Sequence, residues 1–159
     1  AGAQAVKLEG AAGHLDLVQH LSESGVPVMG HLGLTPQSVH ALGGYRVQAR
    51  TQEAAQRLVQ DALALQQAGC FALVLECVPD TVAAQVTQQL DIPTIGIGAG
   101  AQVDGQVLVL HDMLGAQPKF QPRFVRRYGD LAGLLQGAVG RFVEDVRSGA
   151  FPAPEESYT

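Results

Sequence analysis

"CFALVLECVPD", residues 70–80, runs from Phe71 to Leu75 without a polar side chain and then sets Glu76 beside Cys77. A short run that is apolar on both faces is what a strand covered on both sides requires, and such strands belong to parallel sheets flanked by helices. The next residues change period. Asp80 can cap a helix through Leu90, and Pro93 to Ile97 begins another apolar run.

The same rhythm extends over the chain. Strands are expected at Ala5–Glu9, Pro27–His31, Phe71–Glu76, Pro93–Ile97 and Gln106–His111, alternating with stretches of helical period. Thr51 reads as the N-cap of a helix whose apolar face carries Ala54, Ala55, Leu58, Val59, Ala62 and Leu65, with Gly69 as its left-handed stop. Thr35 followed by Pro36 reads as another helix start, and Asp130–Arg147 as a further helix with Gly149 after it. The tail "FPAPEESYT" is broken by proline and expected to be extended. Two architectures fit, a (β/α) barrel or a doubly wound open sheet, and both gather their sites at the carboxyl ends of parallel strands. Five expected strands in 159 residues do not close a barrel of eight.

Composition narrows the partners. The chain carries a net charge of −5, with 47% hydrophobic and 16% charged residues, the mix of an ordinary cytoplasmic α/β protein. A nucleic-acid or anionic-membrane surface needs a basic stripe, and the densest basic group, Lys119, Arg123, Arg126 and Arg127, reads as a solvated helix start. No apolar run approaches the roughly 18 residues of a membrane span, and the expected location is the cytoplasm. Cys70 and Cys77, seven apart, match no zinc or redox spacing and read as buried thiols in a reducing compartment.

Three expected strands end in polar groups that burial alone does not call for: Lys7 and Glu9 in "VKLEG", His31 in "VMGHLG", and Glu76 in "LVLEC". Lys7 and Glu9, two apart, share one face of their strand. Singly, each has a structural explanation, such as a cap, an ion pair or a hydrogen-bonded core histidine. Together at neighbouring strand ends they suit proton removal beside a carbonyl, which needs a base and positive charge where the enolate oxygen develops. One carboxylate is then free to hold a hard divalent cation. "GIGAGA", residues 96–101, matches the dinucleotide fingerprint in letters only, because "DGQVLVL" offers a turn and a strand where a helix must follow. A close backbone approach to a ligand or a tight strand-to-loop turn explains those glycines. His111 and Asp112 either line the same pocket or, for Asp112, cap a helix.

In order along the chain, "VKLEG", "PVMGHLGLTPQSVHALGGYRVQAR", "LVLECVP", "IPTIGIGAG" and "DGQVLVLHDMLG" closely resemble the ketopantoate hydroxymethyltransferase family. The resemblance implies a (β/α)8 TIM barrel of the phosphoenolpyruvate/pyruvate type. It implies transfer of a hydroxymethyl group from 5,10-methylenetetrahydrofolate to 3-methyl-2-oxobutanoate, giving 2-dehydropantoate in pantothenate biosynthesis, with Mg2+ and a homo-oligomer of decameric rings. By match of motif, Glu76 falls on the catalytic proton acceptor, Lys7 on a substrate-binding lysine and Glu9 on a metal ligand. His31 joins the substrate-binding residues as a pocket-lining group. Ala11 and Ala49 stand where the family commonly has glycine, both at positions expected to tolerate it.

Nothing precedes "VKLEG" that could form the family's first three strands, which carry two metal-binding aspartates and a substrate-binding serine. Residues 1–159 are therefore expected to be the C-terminal part of a single barrel domain, about strands 4 to 8, with little activity alone. Two other readings stay open: a magnesium-dependent carbon–carbon lyase of the isocitrate lyase or phosphoenolpyruvate mutase type, and a non-catalytic barrel fragment closed by a partner.

Overall fold

The computed structural model describes residues 2–119 and 121–158. The chain divides into two compact units, Ala1–Val107 and Leu108–Thr159. The first holds β1 (Val6–Glu9), α1 (Leu15–Glu23), β2 (Val28–Gly33), α2 (Gln52–Gln67), β3 (Cys70–Glu76), α3 (Asp80–Gln89), β4 (Thr94–Ile97) and β5 (Gly105–Gln106). Its strands are all parallel and stand in the order β1-β2-β3-β4-β5. A doubly wound sheet reverses its strand order at a switch point, and this one does not. Sequential parallel order is that of a barrel wall, so of the two architectures open to the sequence the structure has the β/α-barrel type.

The helix layer forms where the apolar stripes predict it. On α2 the buried residues are Leu58, Val59, Ala62 and Leu65, spaced so that one face meets the sheet, and the Thr51 hydroxyl accepts the Ala54 N–H at 3.2 Å. Opposite them, Leu32, Leu73 and Leu75 project from β2 and β3 into the same core, joined by Val82, Ala83 and Val86 of α3. Complete burial of a leucine or valine is worth about 1.5–3 kcal/mol, so this layer supplies most of the unit's cohesion. Both cysteines are free and buried, and burial pushes both thiols up, at Cys77 with a smaller push from the Glu76 charge.

Several expectations need correction. Asp80 is the first residue of α3 rather than its cap: Pro79 holds the cap position, and the Asp80 carboxylate accepts the neighbouring Thr81 N–H at 2.8 Å. Thr35 opens only a short 3-10 turn, Pro36–Ser38, without a side-chain capping bond. Phe71, expected inside, is exposed at the start of β3. The expected strand Gln106–His111 is reduced to Gly105–Gln106, and Leu110–Met113 forms the short helix α4 of the second unit, with His111 and Asp112 inside it. β4 offers β5 partners only at Ile95 and Gly96, and the ladder ends with the Val107 N–H on the Gly96 carbonyl at 3.0 Å. Helix α1 has no sequence signal at its start, since His14 makes no side-chain cap.

After β4, "GIGAGA" turns directly into the Asp104–Gly105 segment. Gly100, at φ +82°, lies so near α3 that a Cβ there would meet the Asp80 Cβ at 2.5 Å. The close approach seen at Gly100 is to α3 and not the expected approach to a ligand. Asp104 accepts from the backbone and hydroxyl of buried Thr94 at 2.8 and 3.0 Å, bonds that hold its carboxyl below the usual range.

In the second unit α5 runs Leu131–Ser148, capped by Asp130 accepting the Gly133 N–H at 3.0 Å and stopped by Gly149 at φ +77°. Phe142 meets Phe151 edge-on, with ring centroids 5.3 Å apart. Arg127, from the basic group, donates to the carbonyls of Gln117 and Pro118 at 2.9 and 3.0 Å, a structural tie.

Ala49 is not merely tolerated. It sits in the left-handed region at φ +53°, where an L side chain costs about 1–2 kcal/mol, although its methyl packs against the core. Ala49→Gly is expected to raise stability by about 0.5–1 kcal/mol after the loss of that packing, read as a higher urea midpoint for the 159-residue chain. An unchanged or lower midpoint would count against strain at this position.

Candidate active site

Register brings the strand-end residues together. Glu9 pairs with His31 across β1 and β2, Gly33 with Glu76 across β2 and β3, and side chains alternate along each strand. Lys7, Glu9, His31 and Glu76 therefore share one face of the sheet, and the leucines of the core take the other. All four candidate residues meet in one cluster. The Lys7 ammonium lies 3.1 Å from His31 Nδ1 and 3.6 Å from Glu9 Oε1, and His31 Nε2 lies 3.2 Å from Glu76 Oε2.

Burial grades these groups. The His31 side chain is 4% exposed and Glu9 9%, Glu76 17%, and Lys7 44%. An ammonium can only donate, so His31 Nδ1 accepts from Lys7 and the ring proton sits on Nε2. That N–H makes no hydrogen bond among the described residues: the Glu76 oxygen is near in distance but out of line. A buried donor left unmatched is uncommon in a folded protein, and here it points to the Glu76 side of the ring, with the Lys7 ammonium at the opposite nitrogen.

The backbone around Glu76 is fixed from three sides. Its carbonyl accepts the Leu34 N–H at 2.8 Å; the next residue, Cys77, donates to Ile97 at 2.9 Å and accepts from Gln48 at 2.8 Å. Cys77 has φ +49°, a strained value for a residue with a side chain, at the point where β3 leaves the sheet. Such strain persists only where the surroundings over-determine it, and it collects at functional sites. No signal in the sequence marks Cys77 as left-handed, whereas the glycine common in the family at position 49 points to it there.

Glu9 is already occupied on one side, where Oε2 accepts the Gln37 backbone N–H at 3.0 Å. Among the described residues no group of three or more His, Cys, Asp or Glu side chains is placed to hold a metal. A magnesium ion takes about six oxygens, and Glu9 beside the Lys7 ammonium does not supply them. The residues present do not fit a magnesium site by themselves.

Sequential parallel strands with two carboxylates, a histidine and an ammonium at their carboxyl ends define a chain of the β/α-barrel class. A sequence profile described as ketopantoate hydroxymethyltransferase matches residues 1–154, and the chain belongs to that family. It is 63% identical over 157 residues to the 3-methyl-2-oxobutanoate hydroxymethyltransferase of Nitratidesulfovibrio vulgaris (strain DP4), a match covering 99% of this chain and 51% of the relative. To the protein of that name from Francisella tularensis subsp. tularensis (strain FSC 198) it is 53% identical, covering 99% of this chain and 60% of the relative. The chain spans about half the length of the curated relatives it matches. No helix among the described residues is long and apolar enough to cross a membrane.

Proposed function

We propose that this chain carries the acid–base half of a hydroxymethyl transfer from 5,10-methylenetetrahydrofolate to 3-methyl-2-oxobutanoate. It forms the later strands of a single barrel domain, in a cytoplasmic homo-oligomer. The observation that carries the reading is the unmatched Nε2–H of His31 beside Glu76, on a ring whose other nitrogen is held by Lys7. A 2-oxo acid placed there would set its ketone oxygen against that N–H, with its C3 hydrogen toward Glu76, while Lys7 holds the far side of the ring. Glu76 takes the proton, and the electron pair of the broken C–H bond moves toward the ketone to give an enolate. The developing charge on oxygen meets the buried His31 N–H, where a fixed donor is worth most. The enolate carbon then attacks the one-carbon unit.

The names of the relatives favour the transferase over a carbon–carbon lyase, and the cluster of base and donors favours chemistry over an inert module. The test is deuterium entry at C3 of 3-methyl-2-oxobutanoate, which needs no folate, and its loss in Glu76→Gln. Exchange that survives the substitution would rule Glu76 out.

Magnesium enters only through Glu9 in this chain, and no step is routed through it. Calorimetric titration of the 159-residue chain is expected to give a dissociation constant weaker than about 1 mM, since one carboxylate is a poor host for a hard cation. Micromolar binding removed by Glu9→Gln would show a ligand set that the geometry lacks.

A further inference from the structure

The two oxygens of Glu9 are engaged separately. Oε1 lies 3.6 Å from the Lys7 ammonium and 3.7 Å from His31 Nδ1, while Oε2 accepts the Gln37 N–H at 3.0 Å. The contact with Lys7 is a loose pair to a half-exposed ammonium, a kind that is worth little. The bond from Gln37 is charge-assisted and falls on a side chain only 9% exposed, which places it among the stronger ones.

Gln37 needs that bond. It lies in the turn Pro36–Ser38, where the Ser38 and Val39 N–H groups donate to the Thr35 and Pro36 carbonyls at 2.9 and 3.2 Å. The Gln37 N–H is one of the donors that the start of such a turn leaves over, and the Thr35 side chain makes no capping bond. All three turn residues are exposed, so the cap comes from Glu9, 28 residues earlier and on a different element.

The anchor is firm and the strap is short. Glu9 pairs with His31 in the β1–β2 ladder, and the Gly10 N–H after it donates to the His31 carbonyl at 2.9 Å. Segment 34–48 is fastened at both ends to the end of β3: the Leu34 N–H to the Glu76 carbonyl and the Gln48 N–H to the Cys77 carbonyl, each at 2.8 Å.

We infer that Glu9 is a positioning residue, latching segment 34–48 to β1 through Gln37 with one oxygen and steadying the Lys7–His31 pair with the other. The resemblance makes Glu9 a metal ligand; the geometry gives it a role that needs no cation. Its hold reaches the Glu76 peptide through Leu34 and the His31 ring through Lys7, so one carboxylate sets base and donor together. The latch stands on these contacts, and its consequence for the reaction rests on the acid–base reading.

Amide hydrogen exchange at Gln37 is followed by NMR with EDTA present, in the wild-type 159-residue chain, Glu9→Gln and Glu9→Ala. Where circular dichroism finds that chain unfolded alone, all three forms are assembled with the remainder of the 63% identical relative. Glu9→Ala is expected to speed Gln37 exchange by about tenfold or more, the scale of a hydrogen bond to a charged group. The Leu73 N–H, bonded to the Pro93 carbonyl at 3.0 Å, should keep its wild-type rate, and Glu9→Gln, which retains an accepting oxygen, should restore most of the protection at Gln37. Fast Gln37 exchange in EDTA-treated wild type, an unchanged rate in Glu9→Ala, or an equal rise at Gln37 and Leu73 overturns the latch. In the assembled protein C3 exchange should be slower in Glu9→Ala than in Glu9→Gln, in kcat more than in KM; equal loss in both overturns the positioning role in the reaction. Glu76-dependent C3 exchange with Glu9-independent protection of Gln37 defeats only the latch. Glu9-dependent protection without Glu76-dependent C3 exchange defeats only the acid–base reading.

Discussion

Glu76→Gln should reduce C3 deuterium exchange of 3-methyl-2-oxobutanoate by about 10²–10⁴-fold, the usual contribution of a positioned general base. The measurement is made by NMR on this chain assembled with the remainder of its 63% identical relative. The amide keeps the size and hydrogen-bonding reach of the carboxylate but cannot take a proton. His31 sits 3.2 Å from the carboxylate and Lys7 3.1 Å from His31, contacts that an amide would disturb little, so the fold and the affinity for the oxo acid should survive. His31→Ala has a different signature. It removes the buried donor and leaves the base, so exchange should slow through weaker stabilisation of the enolate oxygen, by about 10²-fold. If Glu76→Gln also melts the protein, its carboxylate is structural and the base lies elsewhere.

The sequence made the cluster legible because strand parity is a strict rule. Lys7 and Glu9 two apart, with His31 and Glu76 at the ends of other apolar runs, could converge only if the strands were parallel neighbours, and they are. What could not be read was anything decided by contacts between distant segments. The run from Gln106 to His111 has the composition of a strand, yet its pairing with β4 ends at Gly96, although β4 itself continues to Ile97. Asp80 has the chemistry of a cap, but Pro79 takes the cap position and Asp80 becomes the first residue of the helix. The tautomer of His31 depends on Lys7 being 24 residues away in sequence and 3.1 Å away in space.

Gly33→Ala should be the most damaging single methyl in the chain. Gly33 ends β2 at φ +92°, and a Cβ there would lie 2.2 Å from the Glu76 carbonyl oxygen and 2.7 Å from Val78 Cγ1. The carbonyl cannot move aside freely, because it holds the Leu34 N–H at 2.8 Å and belongs to the β2–β3 ladder, where Gly33 pairs with Glu76. Accommodation must therefore part the two strands or twist the peptide after Glu76, and either change carries the carboxylate away from His31. The expected loss is about 3 kcal/mol or more, a fall in melting temperature on the order of 10 °C. Any fraction that remains folded should also lose C3 exchange. Gly43→Ala is the matched control: at φ +73° with nothing within 4 Å of its Cβ, it bears only the left-handed penalty of about 1–2 kcal/mol. Equal losses for the two variants would mean that dihedral strain alone acts at Gly33. A larger loss at Gly33, with exchange abolished and the oxo acid still bound, would show that this glycine holds the base in place through its close contact with the Glu76 carbonyl.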